Sequence, residues 1–261
     1  YLIEIMQAVI LAGGLGTRLS EETHIKPKPM VEIGGKPILW HILKIYSSHG
    51  INEFIICCGY KGYVIKEYFA NYFLHNSDIT FHMDEDNRIE IHQQKSEPWK
   101  ITLVDSGDKT QTAGRLKKVK DYIKQDLFCF TYGDGLSDVS ISDLIESHKN
   151  SGSKVTLTAV RPPGRYGALK IDNKKVISFQ EKPEGDNSWI NGGFFVINRS
   201  IIDYIKDDFS SWETDVLPIL AEKGLVNSFL HSGFWKAMDT LRDKNSLEKM
   251  WHSGNPPWKI W

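Results

Sequence analysis

Five apolar residues, Ala8-Val9-Ile10-Leu11-Ala12, run without a spacer into Gly13-Gly14-Leu15-Gly16-Thr17-Arg18-Leu19. A strand with no polar face must be covered on both sides, the environment of a parallel sheet flanked by helices. The pattern recurs along the first half of the chain. Residues 38–48 carry a helical apolar stripe (Ile38, Leu39, Ile42, Leu43, Ile45) that Gly50 stops. Residues 53–58 read as a second buried strand and 63–74 as a second amphipathic helix. Further strands are expected at 79–83 and 101–104, and a helix at 112–123 with Leu116, Val119 and Ile123 on one face. The apolar run 127–132 ends at Gly133-Asp134-Gly135. Strands separated by helices of this size predict an α/β fold on a doubly wound, mostly parallel sheet.

The second half reads as a smaller, mixed β/α part. Strands are expected at 155–160 and 193–197, and a hairpin at 168–171 and 176–180 around Asp172-Asn173-Lys174. A helical stretch follows through Leu220, then a strand-rich segment over 226–238. The last helix is expected to start at Thr240 as its cap, with Leu247, Met250 and Trp251 buried. Met6 reads as the natural start, which makes residues 1–5 a cloning remnant or a read-through.

A chain of 261 residues can bury one good core, so one domain is expected over 6–261. With 25% charged residues and a net charge of −1, it lacks the basic footprint of a nucleic-acid binder. An anionic ligand must therefore be held by local cations. No apolar run approaches the roughly 20 residues needed to cross a bilayer. Cys57, Cys58 and Cys129 lie in apolar runs without metal-ligand spacing, which fits a reducing cytoplasm.

The glycine loop lets the backbone turn sharply and aim N–H groups at an anion. Arg18, Lys26 and Lys28 bring charge that a phosphate chain could use. Gly14-x-Gly16 fits two glycines of a dinucleotide fingerprint, but Leu19 stands where the third belongs, and no G-x-x-x-x-G-K-[ST] is present. In Lys26-Pro27-Lys28-Pro29 the prolines stiffen the backbone on either side of Lys28. Asp134 ends a buried strand, at the sheet edge where open α/β folds bind ligands. Asp239 ends a later apolar run and either joins Asp134 on a Mg²⁺ ion or serves the last helix as an N-terminal acid. Glu181-Lys182-Pro183 and Asn191-Gly192-Gly193 bracket a loop with residue types that read sugar hydroxyls and a phosphate. Asp84-Glu85-Asp86 is a D-x-D of the kind that holds a nucleotide-sugar through a metal, and reads here as a solvated loop.

Taken together, residues 11–19, Pro27-Lys28-Pro29, Gly133-Asp134, Glu181-Lys182-Pro183, Asn191-Gly192-Gly193 and Asp239 resemble the sugar-1-phosphate nucleotidylyltransferases over nearly the whole chain. The stretches 26–40, 59–63, 111–115 and 235–239 resemble the cytidylyl branch of that family. Many relatives carry a proline soon after Gly-Thr-Arg-Leu, where this chain has Ser20-Glu21-Glu22.

The resemblance implies a Rossmann-like nucleotide-binding part over about 6–135 and a sugar-binding and C-terminal part over about 136–261. It implies CTP and glucose 1-phosphate as substrates, CDP-glucose and pyrophosphate as products, and a homo-oligomer. CDP-glucose usually feeds dideoxy-sugar synthesis for bacterial surface polysaccharide. On the same basis Leu11, Ala12, Gly13, Gly14, Leu15, Gly16 and Thr17 cradle the triphosphate, with Gly133 beside them. Arg18 pairs with the leaving pyrophosphate, Lys28 bridges the α-phosphate or the leaving group, and Asp134 and Asp239 hold Mg²⁺. Thr110, Gln111 and Arg115 lie where the family reads the base. Lys182 grips the sugar phosphate, and Gly167, Glu181 and Asn191 take the glucose. Two other readings stand beside this one: glycosyl transfer through Asp84 and Asp86, and a catalytically silent nucleotide-sugar-binding subunit. The eight tryptophans, with Trp258 and Trp261 in the proline-rich tail, suggest an aromatic interface.

Overall fold

The computed structural model describes residues 6–84, 88–94, 96–162, 168–172, 175–180 and 189–261. Its centre is a seven-stranded sheet in the order Val226–His231, Val155–Val160, Ile190–Asn198, Leu127–Tyr132, Gln7–Leu11, Glu53–Cys58, Lys100–Asp105. Every neighbouring pair is parallel except the two made by Ile190–Asn198, which runs antiparallel to both its partners. The sheet is α/β and mostly parallel, as the sequence pattern predicts.

The first strand explains why both faces are covered. Ala8, Ile10 and Ala12 point into a core with Leu39, Ile42 and Phe54. Val9 and Leu11 point the other way, toward Ile55, Phe130, Phe195 and Trp212. From Gln7–Leu11 the chain builds outward through Glu53–Cys58 to Lys100–Asp105, then returns to lay Leu127–Tyr132 on the opposite side of the first strand. That reversal is a topological switch point, and the crevice it opens lies at the carboxyl ends of Leu11 and Tyr132. The antiparallel strand brings its amino end, Asn191, to the same edge.

Several elements differ from the sequence reading. The helix expected at 63–74 is broken into Gly62–Ala70 and Tyr72–His75. At the break the Asn71 side-chain amide donates to the Glu67 carbonyl at 3.0 Å and competes with the helical ladder. The helix at 112–123 closes at Lys118, and a 3₁₀ turn, Lys120–Tyr122, completes it. The strand near 79–83 spans Ser77–Phe81 and pairs with an unanticipated partner, Ile89–Gln94, outside the main sheet. A helix at Ile141–Ser151 was not anticipated, although Ser140 caps it by accepting the Asp143 N–H and Gly152 ends it in the left-handed region. The region before Leu220 is a 3₁₀ stretch, a π-helical turn and the helix Leu217–Glu222. The hairpin Ala168–Asp172 with Lys175–Gln180 is as expected; its turn residues Asn173 and Lys174 lie outside the described residues. The three cysteines are free and buried. Among the described residues no helix is long and apolar enough to cross a membrane.

The tail tryptophans do not mark an exposed interface. Trp258 is fully buried, stacks with Trp251 and Phe234, and donates its indole N–H to His41 Nδ1 at 3.3 Å. Trp261 sits edge-on to Trp40. The tail thus packs against the Ile38–Ser48 helix of its own chain. His41 Nε2 donates to the Ile33 carbonyl at 2.9 Å, so the ring is neutral with both nitrogens engaged. Burial pushes its pKa down to about 4, below the unfolded value near 6.5. The unfolded chain therefore binds the proton first. The stability from neutral His41 is complete above pH 6.5 and is lost as pH falls toward 4. In urea unfolding at pH 7 and pH 4, His41→Asn should lose about 3 kcal/mol less than the wild type between the two.

Candidate active site

A cleft of about 940 Å³ opens at the switch point. Its floor is the loop that follows the first strand. At Gly16 the backbone takes φ +63°, which glycine adopts without strain. At Gly13 a Cβ would lie 2.1 Å from the Arg115 guanidinium, so no side chain fits. Among the described residues nothing accepts the backbone N–H groups of Gly14 and Leu15. They remain donors for an anion.

Two acidic residues stand across from this loop, and a small ribbon sets their spacing. Gly135–Ser137 pairs with Trp235–Ala237, Gly135 opposite Ala237. The next rung is the Met238 N–H donating to the Asp134 carbonyl at 2.9 Å. Asp239 follows directly and precedes a capping box in which Thr240 accepts the Asp243 N–H while Asp243 accepts that of Thr240. Strand end and helix start are thereby locked together, with both carboxylates on the same side.

Lys28 completes the cluster. It opens a 3₁₀ turn, Lys28–Met30, after Pro27 in extended geometry. Its Nζ donates to Asp134 Oδ2 at 2.6 Å and to Asp239 Oδ1 at 2.8 Å. Burial works against the ammonium, but the charges and hydrogen bonds of Asp134 and Asp239 outweigh it, so the Lys28 pKa sits above the ordinary lysine value. Arg18 adds a fork to Asp239, with Nη2 3.0 Å from Oδ1 and Nη1 3.2 Å from Oδ2. Lys26 is turned away and pairs with Glu32.

The two carboxylates converge on one point, which suits a hard divalent cation. Among the described residues no group of three His, Cys, Asp or Glu could hold a metal. The remaining ligands would come from phosphate and water, the usual arrangement for Mg²⁺ at a nucleotide.

Leu11, Ala12, Gly14, Leu15, Gly16, Thr17, Arg18, Lys28, Thr110, Gln111, Arg115, Gly133, Asp134, Asn191 and Asp239 all line this cleft. Gly13 lies beneath it. Gly167, Glu181, Lys182 and Asp86 lie outside the described residues, and Asp84 sits away from the cleft in a bend after Ser77–Phe81. Arg115 is 4% exposed, and its terminal nitrogens hold the loops together. They donate to Ser106 Oγ at 2.7 Å and the Gly13 carbonyl at 2.9 Å, and over longer distances to the Cys58 and Asp108 carbonyls at 3.3 and 3.4 Å.

The cleft also holds Lys109, Tyr132, Glu213 and Trp235, which the sequence reading did not single out. Tyr132 stands beside the quoted Gly133-Asp134, and Trp235 opens the quoted stretch 235–239. Glu213 lies on the π-helical turn Trp212–Val216, outside every quoted motif, and nothing local marked it.

The nucleotidyl transferase family model matches residues 7–244. Over 257 residues the chain is 64% identical to glucose-1-phosphate cytidylyltransferase of Salmonella typhi, covering 98% of this chain and all of that one. It is 43% identical, with the same coverage, to the probable glucose-1-phosphate cytidylyltransferase of Bacillus subtilis strain 168. Among solved structures it superposes on HddC from Yersinia pseudotuberculosis with a TM-score of 0.69 at 26% identity, over 95% of this chain and all of that one. The same protein complexed with GMP-PN gives 0.68. With a match of this extent, the chain belongs to the nucleotidyl transferase family.

Proposed function

We propose that this chain transfers the cytidylyl group of CTP to glucose 1-phosphate, forming CDP-glucose and releasing pyrophosphate. The observation that carries the reading is the meeting of Arg18 and Lys28 with Asp134 and Asp239 above a loop with open backbone N–H groups. Relatives named for this activity align end to end with the chain.

In this reaction a phosphate oxygen of the sugar phosphate attacks the α-phosphorus in line. The bond to the β-phosphate oxygen breaks, and its electron pair leaves with pyrophosphate. The attacking oxygen is already anionic, so neither a general base nor a protein nucleophile is required. Catalysis then rests on positioning and charge neutralisation. The N–H groups of the glycine loop hold the polyphosphate, Arg18 meets the leaving pyrophosphate, and Lys28 reaches the α-phosphate. Asp134 and Asp239 would hold Mg²⁺, which when bound offsets the repulsion between the two phosphates. Lys28 now holds those two carboxylates together. With the two carboxylates engaged by a divalent cation, the Lys28 ammonium would be free to pair with phosphate. Glu181, Lys182, Gly167 and Asn191 are assigned to the sugar phosphate, and the nucleotide- and sugar-binding parts to about 6–135 and 136–261.

Base choice is assigned to Thr110, Gln111 and Arg115. Each terminal nitrogen of Arg115 has one short and one long hydrogen bond. A shift of the whole guanidinium that gives up the two longer bonds, to the Cys58 and Asp108 carbonyls, would let it donate to the O2 and N3 acceptors of cytosine, whereas uracil presents a donor at N3.

Pyrophosphate release with glucose 1-phosphate and Mg²⁺, compared across CTP, UTP, dTTP, ATP and GTP, tests the assignment. Strong preference for CTP is expected; preference for another nucleotide overturns the cytidylyl reading. Arg115→Ala should lower the kcat/KM ratio of CTP over UTP by roughly tenfold. An unchanged ratio would remove Arg115 from base recognition, whatever the loss in absolute rate.

A further inference from the structure

Glu213, on the wall of the cleft, is an anion that the phosphate chemistry does not use. Glu213 stands on the π-helical turn Trp212–Val216, which begins after Ser211. Its carboxylate is held from three directions. The Tyr132 hydroxyl donates to Oε1 at 2.6 Å, and the Thr112 and Ser211 hydroxyls donate to Oε2 at 2.7 and 3.0 Å.

Backbone donors set the direction of these bonds. The Trp212 N–H donates to Thr112 Oγ1 at 2.7 Å and the Thr214 N–H to Ser211 Oγ at 3.2 Å, leaving each hydroxyl proton for the carboxylate. Asn191 Nδ2 donates to the Tyr132 oxygen at 3.2 Å, which turns the phenol proton the same way. Burial, with the charge of Glu213, pushes the Tyr132 pKa up, so the phenol stays a donor at neutral pH.

A carboxylate offers about four acceptor positions. Two donors meet Oε2 and one meets Oε1, so Oε1 keeps an acceptor position on a residue exposed in the cleft. A fixed anion repels phosphate and suits a neutral O–H donor.

We propose that Glu213 accepts a hydrogen bond from a sugar hydroxyl of a bound substrate, on either the hexose or the ribose. The inference rests on the transfer reaction proposed above. Three hydroxyls hold the carboxylate before ligand arrives, so little side-chain freedom is lost on binding. A substrate lacking the hydroxyl leaves the acceptor unpaired in the occupied site.

The test compares wild type, Glu213→Ala and Glu213→Gln by pyrophosphate release. The substrates are glucose 1-phosphate, its 2-, 3-, 4- and 6-deoxy analogues, and CTP against 2′- and 3′-deoxy-CTP. With the complete substrates Glu213→Ala should lower kcat/KM by roughly 10- to 100-fold, chiefly through KM, with Glu213→Gln in between. One deoxy analogue should be poor with the wild type and no poorer with Glu213→Ala, because the two losses share one hydrogen bond. A deoxyhexose in that role places the contact on the sugar phosphate, and a deoxy-CTP places it on the ribose. Equal proportional loss on every analogue, or no loss at all, overturns the role of Glu213 while leaving the reaction standing. No pyrophosphate release by the wild type with any nucleotide overturns the reaction, and the inference falls with it.

Discussion

The ammonium of Lys28 between the carboxylates of Asp134 and Asp239 is the contact on which the rest of the site depends. It joins three segments remote in sequence: the turn after the glycine loop, the end of the Leu127–Tyr132 strand and the residue before the last helix cap. Neither carboxylate could be held so close to the other without a cation. At these separations each attraction is worth about 6 kcal/mol at an effective dielectric near 20. Removing the charges from water costs several kcal/mol per ion, a sum of the same order. The cluster is therefore poised rather than locked.

The cleft divides by charge. Arg18, Lys28 and the open N–H groups of the glycine loop gather at the mouth of the first strand, where the proposed reaction needs donors for a polyphosphate. On the other wall Tyr132, Thr112 and Ser211 hold an anion, Glu213, proposed above to accept from a sugar hydroxyl. Arg115 lies beneath, tying the carbonyl of Gly13 to the Ser106–Asp108 loop. The net charge of −1 is compatible with a polyanionic substrate because the cations are gathered locally.

The first half of the fold was legible because buried parallel strands leave uninterrupted apolar runs, as in Ala8-Val9-Ile10-Leu11-Ala12 and the stretch ending at Tyr132. The ribbon Ser77–Phe81 with Ile89–Gln94 was only half read, because its second strand alternates apolar and polar residues within a polar stretch. The helix Ile141–Ser151 carried usable signals in Ser140, Asp143 and Gly152 that the reading passed over. Asp134 and Asp239 could be paired from their positions at the ends of apolar runs. Glu213 could not, since its role comes from hydroxyls at Thr112 and Tyr132 that meet it only after the chain has folded. The tail misled for a related reason: its tryptophans cover His41 and its helix from within the same chain.

The most direct measurement is binding of Mn²⁺, as a spectroscopic substitute for Mg²⁺, with and without CTP, in the wild type, Asp134→Asn and Asp239→Asn. The account predicts CTP-dependent Mn²⁺ binding by the wild type, weakened at least roughly tenfold when either carboxylate is neutralised. Equal Mn²⁺ affinity in all three proteins in the presence of CTP would contradict it, because the cation would then not be held by the pair that Lys28 bridges.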